Sequence, residues 1–338
     1  MSDDFRRALD AHRAGDLEQA VALYRAALPH EPSHGSHNLA VALASLGRFD
    51  EAETFFRRAI ELEPRLPHTR HSLAMLLLGQ GRYEEGWPLF EARRRIPGKK
   101  TPDFSARFPE WRGEDLAGRR LLVAWEQGFG DQIQFARFLP ALGDAGAEVT
   151  FLCAPELVSL FPGAAAAVAN PRFDYWIPLC SLPHRLGVTL ETIPAPTAID
   201  VQGPGGGGVG VVARGAPSHA NDANRSLGGA DAARLLALGR DLAPAATGAQ
   251  DFRQTAEIVS GLDLVICVDT SVAHLAASLG KPTWILLPDR DTDWRWLRGR
   301  SDSPWYPSAR LFRQARPGDW SGVLDRVEAE LAQLRAPA

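Results

Sequence analysis

The chain is poor in cysteine, with three in 338 residues: Cys153, Cys180 and Cys267. They stand far apart in apolar, strand-like settings. That excludes a disulfide framework and the close spacing of a zinc site, and it points to a reducing compartment. No apolar run reaches the roughly 18 residues a membrane-spanning helix needs. The start, Met1-Ser-Asp-Asp-Phe-Arg-Arg, leads into an amphipathic segment without a signal-type apolar core. The expected location is the cytoplasm. Charge of one sign is also lacking. A net charge of −4 gives no general attraction to nucleic acid or to an anionic membrane surface. Any anionic ligand must therefore be held by local groups. What is present is a globular composition, 45% hydrophobic and 23% charged, long enough for about two or three domains.

The N-terminal third repeats itself. Gly15-Asp-Leu-Glu-Gln-Ala20 precedes Leu23-Tyr-Arg-Ala-Ala-Leu28 and Pro32. Gly47-Arg-Phe-Asp-Glu-Ala52 precedes Phe56-Arg-Arg-Ala-Ile60 and Pro64. Gly81-Arg-Tyr-Glu-Glu-Gly86 precedes Leu89-Phe-Glu-Ala-Arg93. Gly47 and Gly81 are 34 positions apart, and Gly15 and Gly47 are 32 apart. The pattern resembles the tetratricopeptide repeat, whose period is about 34 residues. Small residues let paired helices approach, and the prolines stop the second helix of a pair. Residues 1–96 are thus expected to hold three such repeats, an all-α domain. It would serve as a groove for a protein partner or as a structural cap. Arg6, Asn38 and Ser72 stand nine positions before the three glycines, so no asparagine ladder runs along it.

Residues 97–117 carry Pro97, Gly98, Lys99, Lys100, Pro102, Pro109 and Gly113, the chemistry of a linker. Two α/β halves follow, 118–204 and 205–338. In the first, a buried strand at 120–125, a glycine turn, a helix at 132–142 and a strand at 148–153 make a βαβ unit. In the second, a hinge at 205–208 leads to strands at 209–213, 264–269 and 283–287. Helices are expected at 230–238, 251–261 and 320–334. Open α/β sheets bind ligands at the carboxyl ends of their strands, so a cleft between two such halves suits a nucleotide-bearing ligand.

Two turns carry the chemistry. In Val268-Asp269-Thr270-Ser271-Val-Ala-His274, an apolar strand ends in a polar turn and a helix begins. The first amides of a helix lack intrahelical partners, so such a turn is a ready anion site. His274 lies roughly opposite the apolar stripe Val272, Leu275, Ala276 and Leu279. It is expected not to pack beneath its own helix. Arg225, after the first strand of the same half, is the best candidate for a phosphate cation. The second turn is Gly128-x-Gly130-Asp131. The third glycine of a dinucleotide fingerprint would fall at Ile133, so that reading fails. Asp131 reads either as a carboxylate that accepts a proton from an attacking hydroxyl or as a helix cap. Asp289, Asp291 and Asp293 read as a solvated loop rather than a divalent-cation site. Asp293-Trp294-Arg295-Trp296 and Pro304-Trp305-Tyr306-Pro307 would line a sugar or base pocket or form a packed cover.

Together, Glu126-Gln-Gly-Phe-Gly130-Asp131-Gln132-Ile-Gln-Phe, Val268-Asp-Thr-Ser-Val-Ala-His274 and Asp293-Trp-Arg-Trp296 through Ser303-Pro-Trp-Tyr-Pro-Ser308 resemble bacterial tetratricopeptide-repeat glycosyltransferases. These are related to glycosyltransferase family 9, the heptosyltransferases. The resemblance implies a GT-B fold, two Rossmann-like domains facing a cleft behind the repeat domain. It implies inverting, metal-independent hexosyl or heptosyl transfer from a nucleotide-diphosphate sugar, with no cofactor beyond that co-substrate. Asp131 maps onto the proposed base. Asp269, Thr270, Ser271 and His274 map onto the loop that holds the donor diphosphate, joined here by Arg225. Gly128, Gly130, Gln132, Trp294 and Trp296 are candidates for acceptor or sugar contacts. The acceptor would be a protein bound through the repeats, or else a glycan or lipid-linked saccharide. Four departures stand out: Ala213 where relatives tend to have Trp, Ala223 where they tend to have a basic residue, the Gly205–Gly208 run, and 239–250, too short for the strand and loop they carry there. The alternative is a non-catalytic scaffold protein with a degenerate transferase domain.

Overall fold

A computed structural model describes residues 1–98, 102–168 and 172–335. Parts of the expected linker (99–101) and small parts of both expected α/β halves (169–171 and 336–338) lie outside the described residues. The chain divides into two compact units. One comprises Met1–Lys99, Val188–Leu190 and Asp293–Arg298. The other comprises Lys100–Gly187, Glu191–Thr292 and Gly299–Ala338.

The first unit is built from three helix pairs: α1 (Asp3–Arg13) with α2 (Leu17–Ala27), α3 (Pro32–Ser45) with α4 (Phe49–Leu62), and α5 (Pro67–Gly79) with α6 (Tyr83–Phe90). Ser2 caps α1 by accepting from the Phe5 amide, and Asp3 and Asp4 sit at the positive end of its dipole. Gly15, Gly47 and Gly81 turn each pair at φ +81°, +76° and +78°, a region open to glycine without a Cβ penalty. Pro32 and Pro67 begin α3 and α5, where the missing N–H costs nothing. The prolines therefore start helices as well as ending them; Pro29 and Pro64 lie just beyond helix ends. Ala20, Ala52 and Gly86 are buried where the helices of a pair meet, and Phe5, Tyr24, Leu39, Phe56, Leu73 and Leu77 fill the core.

Segment Asp293–Arg298 packs inside this same unit. Trp294 meets Trp87 edge-on, with centroids 5.3 Å apart and planes at 89°. It meets Tyr83 in the same way at 6.2 Å. Trp87 Nε1 donates to the Val188 carbonyl at 2.9 Å. Trp296 is fully buried. This corrects the reading of Trp294 and Trp296 as sugar contacts in favour of the packed cover: the Trp294 ring is used up by aromatic packing in the helical unit, and the Trp296 side chain is fully buried.

The second unit is α/β and holds two parallel sheets. The first has the order β3-β2-β1-β4, from β1 (Arg120–Ala124), β2 (Glu148–Leu152), β3 (Ala164–Ala165) and β4 (Tyr175–Pro178). Leu122 pairs with Thr150 on one side and Trp176 on the other. The expected helix at 132–142 is broken into α7 (Phe129–Phe135), a single tight turn at 136–138 and α8 (Leu139–Asp144). Pro140 explains the break, since it lacks an N–H and its ring crowds the carbonyl four residues earlier. A short helix α9 (Leu182–Arg185) follows β4. Part of the expected linker joins this sheet. The Trp111 amide donates to the Trp176 carbonyl at 2.8 Å, and the Trp176 amide to the Pro109 carbonyl at 3.0 Å.

The second sheet has the order β6-β5-β7-β8-β9, from β5 (Val209–Val212), β6 (Arg240–Asp241), β7 (Leu264–Val268), β8 (Thr283–Leu287) and β9 (Ala309–Arg313). Its helices are α10 (Asp222–Arg225), α11 (Gly229–Leu236), α12 (Pro244–Thr247), α13 (Phe252–Ser260), α14 (Ser271–Ser278) and α15 (Trp320–Arg335). Every residue of β7 and β8 is buried, as central strands of a parallel sheet covered on both faces must be. Segment 239–250 is corrected as well: it does form a strand, although β6 has only two residues, followed by the one turn of α12. The two-sheet architecture after a helical repeat unit is the one a GT-B fold requires. Among the described residues, no helix is long and apolar enough to cross a membrane.

Gly86 tests the packing of the third pair. A Cβ there would sit 2.7 Å from Leu78 Cδ2 and 2.8 Å from its Cγ. Leu78 is fully buried and cannot swing away. Overpacking of this kind costs about 1–3 kcal/mol, against about 1 kcal/mol gained in helix propensity. Gly86→Ala is expected to lower stability by about 1 kcal/mol in urea denaturation.

Candidate functional site

The two turns singled out in the sequence are brought together where α7 packs against α14. β7 ends at Val268, and the chain turns through Asp269 and Thr270 into α14. Thr270 is the extended N-cap residue, at φ −141°. A threonine there ordinarily accepts a bond from the first turn of its helix. Here it caps nothing, and among the described residues its buried Oγ1 has no hydrogen-bond partner. A buried hydroxyl left unpaired costs about 1–3 kcal/mol. Gly280 closes the helix at φ +71°.

Arg225, at the end of α10, reaches this turn. Its Nη1 donates to the Asp269 carbonyl at 2.8 Å, and its Nε to Asp222 Oδ1 at 3.3 Å. Gly215 makes room, since a Cβ there would lie 2.5 Å from Arg225 Nη2. Asn221 Nδ2 donates to the Asp291 carbonyl at 2.8 Å, which holds the 289–293 loop beside α10. The Asp293 carboxylate is engaged by Arg295, through its amide at 3.1 Å and its guanidinium at 3.2 Å.

His274, off the apolar stripe of its helix, is not turned to water. Its side chain is 2% exposed. Nδ1 lies 2.9 Å from the Tyr306 hydroxyl. Nε2 stands 4.0 Å from Asp269 Oδ1. The ring lies against Gly130 of α7, where a Cβ would fall 2.6 Å from His274 Cδ2. This explains the second glycine of Gly128-x-Gly130-Asp131: it admits an imidazole ring from the other half.

At the start of α7, Gln127 adopts φ +61°, a left-handed conformation rarely taken by a residue with a side chain. Strain of this sort concentrates at functional turns. Gly128 is the N-cap, and its amide donates to Asp131 Oδ2 at 3.1 Å. Asp131 is half-buried. It thus has the capping role, one residue on from Gly130, which lies against the His274 ring. Gln132 is corrected. Its Oε1 accepts from the Ala154 amide at 2.9 Å and its Nε2 lies 3.5 Å from the Gly128 carbonyl, so a buried side chain committed to backbone cannot reach a sugar.

Glu126 and Arg137 were given no role of their own from the sequence, and Tyr306 was read only with its neighbours in 304–307 as pocket lining or packed cover. Glu126 is fully buried, and its Oε2 accepts from the Cys180 amide at 3.2 Å. Arg137 is buried among Phe135, Phe138, Trp305 and Tyr306. Tyr306 holds His274. The available signal was Arg137 itself, a charge between two phenylalanines on a short apolar segment.

Comparison with known proteins agrees with this layout. Residues 37–66 and 67–89 match tetratricopeptide repeat profiles. Residues 221–291 match glycosyltransferase family 9 (heptosyltransferase). That span holds Arg225 and the whole Asp269–His274 turn. Segments of the chain are thus similar to tetratricopeptide repeats and to glycosyltransferase family 9. It is 26% identical to Protein FlbA of Caulobacter vibrioides over 318 residues, 74% of this chain. It spans about half, 52%, of that relative's length. Two solved structures show a distant similarity. The iron-containing dodecameric glycosyltransferase TibC from enterotoxigenic E. coli has a TM-score of 0.44 at 12% identity, covering 64% of this chain and 78% of TibC. A glycosyl transferase family 9 protein from Veillonella parvula has 0.42 at 11%, covering 68% and 92%.

Burial governs the cysteines near this region. All three are buried. Burial pushes the Cys153 thiol up to about 11, and burial plus the nearby Asp269 carboxylate pushes Cys267 higher still. Thiols raised in this way remain protonated and unreactive through neutral pH. The native protein at pH 8 is expected to show no fast reaction with an aromatic disulfide reagent, and three thiols after denaturation. Rapid labelling of the native protein would show that one of these sites opens.

Proposed function

We propose that the α/β unit is an inverting glycosyltransferase that moves a sugar from a nucleotide-diphosphate donor to an acceptor hydroxyl. The observation that carries this is the contact of Gly130 with His274, which puts a carboxylate-bearing turn beside an anion-type turn. Asp131 takes the acceptor's proton as its oxygen attacks the anomeric carbon. The bond from that carbon to the diphosphate oxygen breaks, and the electron pair stays with the departing diphosphate. The N-terminus of α14, the hydroxyls of Thr270 and Ser271, His274 and Arg225 receive that charge. The proposal assigns charge stabilisation to protein groups, with no metal step and no cofactor. Thr270 supports it, because a diphosphate oxygen satisfies a hydroxyl that the protein leaves unpaired. In a chain with a net charge of −4, Arg225 supplies the local cation the diphosphate needs.

The repeats are proposed to bind a protein, either the acceptor itself or a partner. A glycan or lipid-linked saccharide is the other acceptor class. The non-catalytic scaffold reading is favoured by one observation: the segment that relatives use beside the nucleotide is reduced here to β6 and α12.

Nucleoside diphosphates and a nucleotide-sugar panel separate the readings. Binding stabilises the fold by mass action, so thermal shift identifies the donor. With that donor, Asp131→Asn is expected to lower transfer by about 10²–10⁴-fold while leaving nucleoside diphosphate affinity intact. Arg225→Ala is expected to weaken that affinity by about tenfold or more, the cost of losing a charge-assisted contact. Full activity in Asp131→Asn removes the base assignment. No binding to any of these ligands leaves the scaffold reading standing.

A further inference from the structure

We infer that Tyr306 is a positioning residue for His274, an inference that rests on the reading of the 269–274 turn as a diphosphate grip. The geometry is a closed circuit. Arg137, just beyond α7, donates from Nε to the Gln134 carbonyl at 2.8 Å. From Nη1 it donates to the Trp305 carbonyl at 2.7 Å and the Pro194 carbonyl at 3.1 Å. Its guanidinium lies 5.1 Å from the Trp305 ring centroid and 4.8 Å from that of Tyr306. Tyr306, fully buried, puts its hydroxyl 2.9 Å from His274 Nδ1. The His274 ring returns to Gly130 of α7, one residue from Asp131.

In a neutral imidazole one nitrogen donates and the other accepts, and the bond made by one fixes the role of the other. Asp269 Oδ1 stands on the Nε2 side at 4.0 Å, and a carboxylate there favours a proton on Nε2. Nδ1 is then the acceptor, and the Tyr306 hydroxyl donates to it. The guanidinium over the Tyr306 ring draws on its electron density and makes the hydroxyl a better donor. Nε2–H is thereby held as a donor on the side of the 269–270 turn, where the diphosphate charge develops. Tyr306 touches neither donor nor acceptor; it acts through His274.

The test has two arms on the full-length protein. Nitrogen-15 NMR at pH 8 reads the His274 tautomer without any ligand. The wild type is expected to carry its proton on Nε2, and Tyr306→Phe to show a mixture. Calorimetry with UDP, GDP, ADP and CDP reads affinity in wild type, Tyr306→Phe, His274→Asn and the double variant. Tyr306→Phe is expected to bind the preferred diphosphate about tenfold more weakly. In the His274→Asn background the same change should cost less than about twofold, because a group acting through histidine has nothing left to act on. A merely structural role would weaken both backgrounds alike. A wild-type proton on Nδ1 overturns the inference even if Tyr306→Phe does not fold. Binding by the wild type, with tautomer and affinity unchanged in Tyr306→Phe, removes the positioning role alone. No binding by the wild type to any of the four removes the diphosphate reading and the positioning role with it.

Discussion

The contact of His274 with Gly130 is the constraint on which the rest of the α/β unit depends. An imidazole ring cannot approach a helix backbone so closely past a methyl group; a Cβ at Gly130 would stand 2.6 Å from the ring carbon. Removing that one atom lets α7 lie against α14. Two turns that belong to different sheets are then adjacent. The contact also buries His274, and a buried imidazole must find hydrogen-bond partners. Tyr306 is one. Arg137 in turn spans α7 and the Trp305–Tyr306 segment. Each step follows from the demand that a polar group taken out of water be paired.

The parts legible in the sequence were those with a local signature. Turn glycines at a 32–34 spacing and strands of unbroken apolar residues are decided within a few residues of themselves. The Asp269–His274 turn was legible for the same reason. What was not legible depends on distant partners. Gln132 looks like a free amide beside a catalytic turn until the Ala154 amide, 22 positions on, claims its oxygen. Trp294 looks like a sugar platform until Trp87 and Tyr83 claim its faces. β4 and β9 escaped notice because four or five residues carry too little periodicity, and their strand character comes from the neighbours they pair with. Arg137 shows the limit well. A buried charge in a short apolar helix signals a network, but its partners lie about 60 and 170 positions further on.

The segment between β8 and β9 has an unusual economy. Residues 293–298 complete the aromatic packing of the helical unit, with Trp294 against Trp87 and the Arg298 guanidinium 3.4 Å from the Phe49 ring centroid. A few residues later, Trp305 and Tyr306 serve the α/β unit. Asp291 at φ +54° precedes this first part and Leu297 at φ +51° lies near its end. Side chains in that region cost about 1–3 kcal/mol when the surroundings impose them. The packing of two buried tryptophans is large enough to impose it, since each buries on the order of 200 Å².

The two turns also divide their hydrogen bonds differently, and the division matches their proposed roles. At α7 the orphan amide of Gly128 is satisfied by Asp131, which holds the carboxylate in one place. At α14 the capping residue withholds its hydroxyl, although an ordinary cap would stabilise the helix by about 1 kcal/mol. A group that must position a proton acceptor gains from being tied down. A turn that must receive a charged leaving group gains from keeping donors uncommitted until the charge arrives, because preorganised donors then need no reorganisation. The unpaired Thr270 hydroxyl is the cost of that readiness. It is small beside the stability gained from the buried sheets on either side.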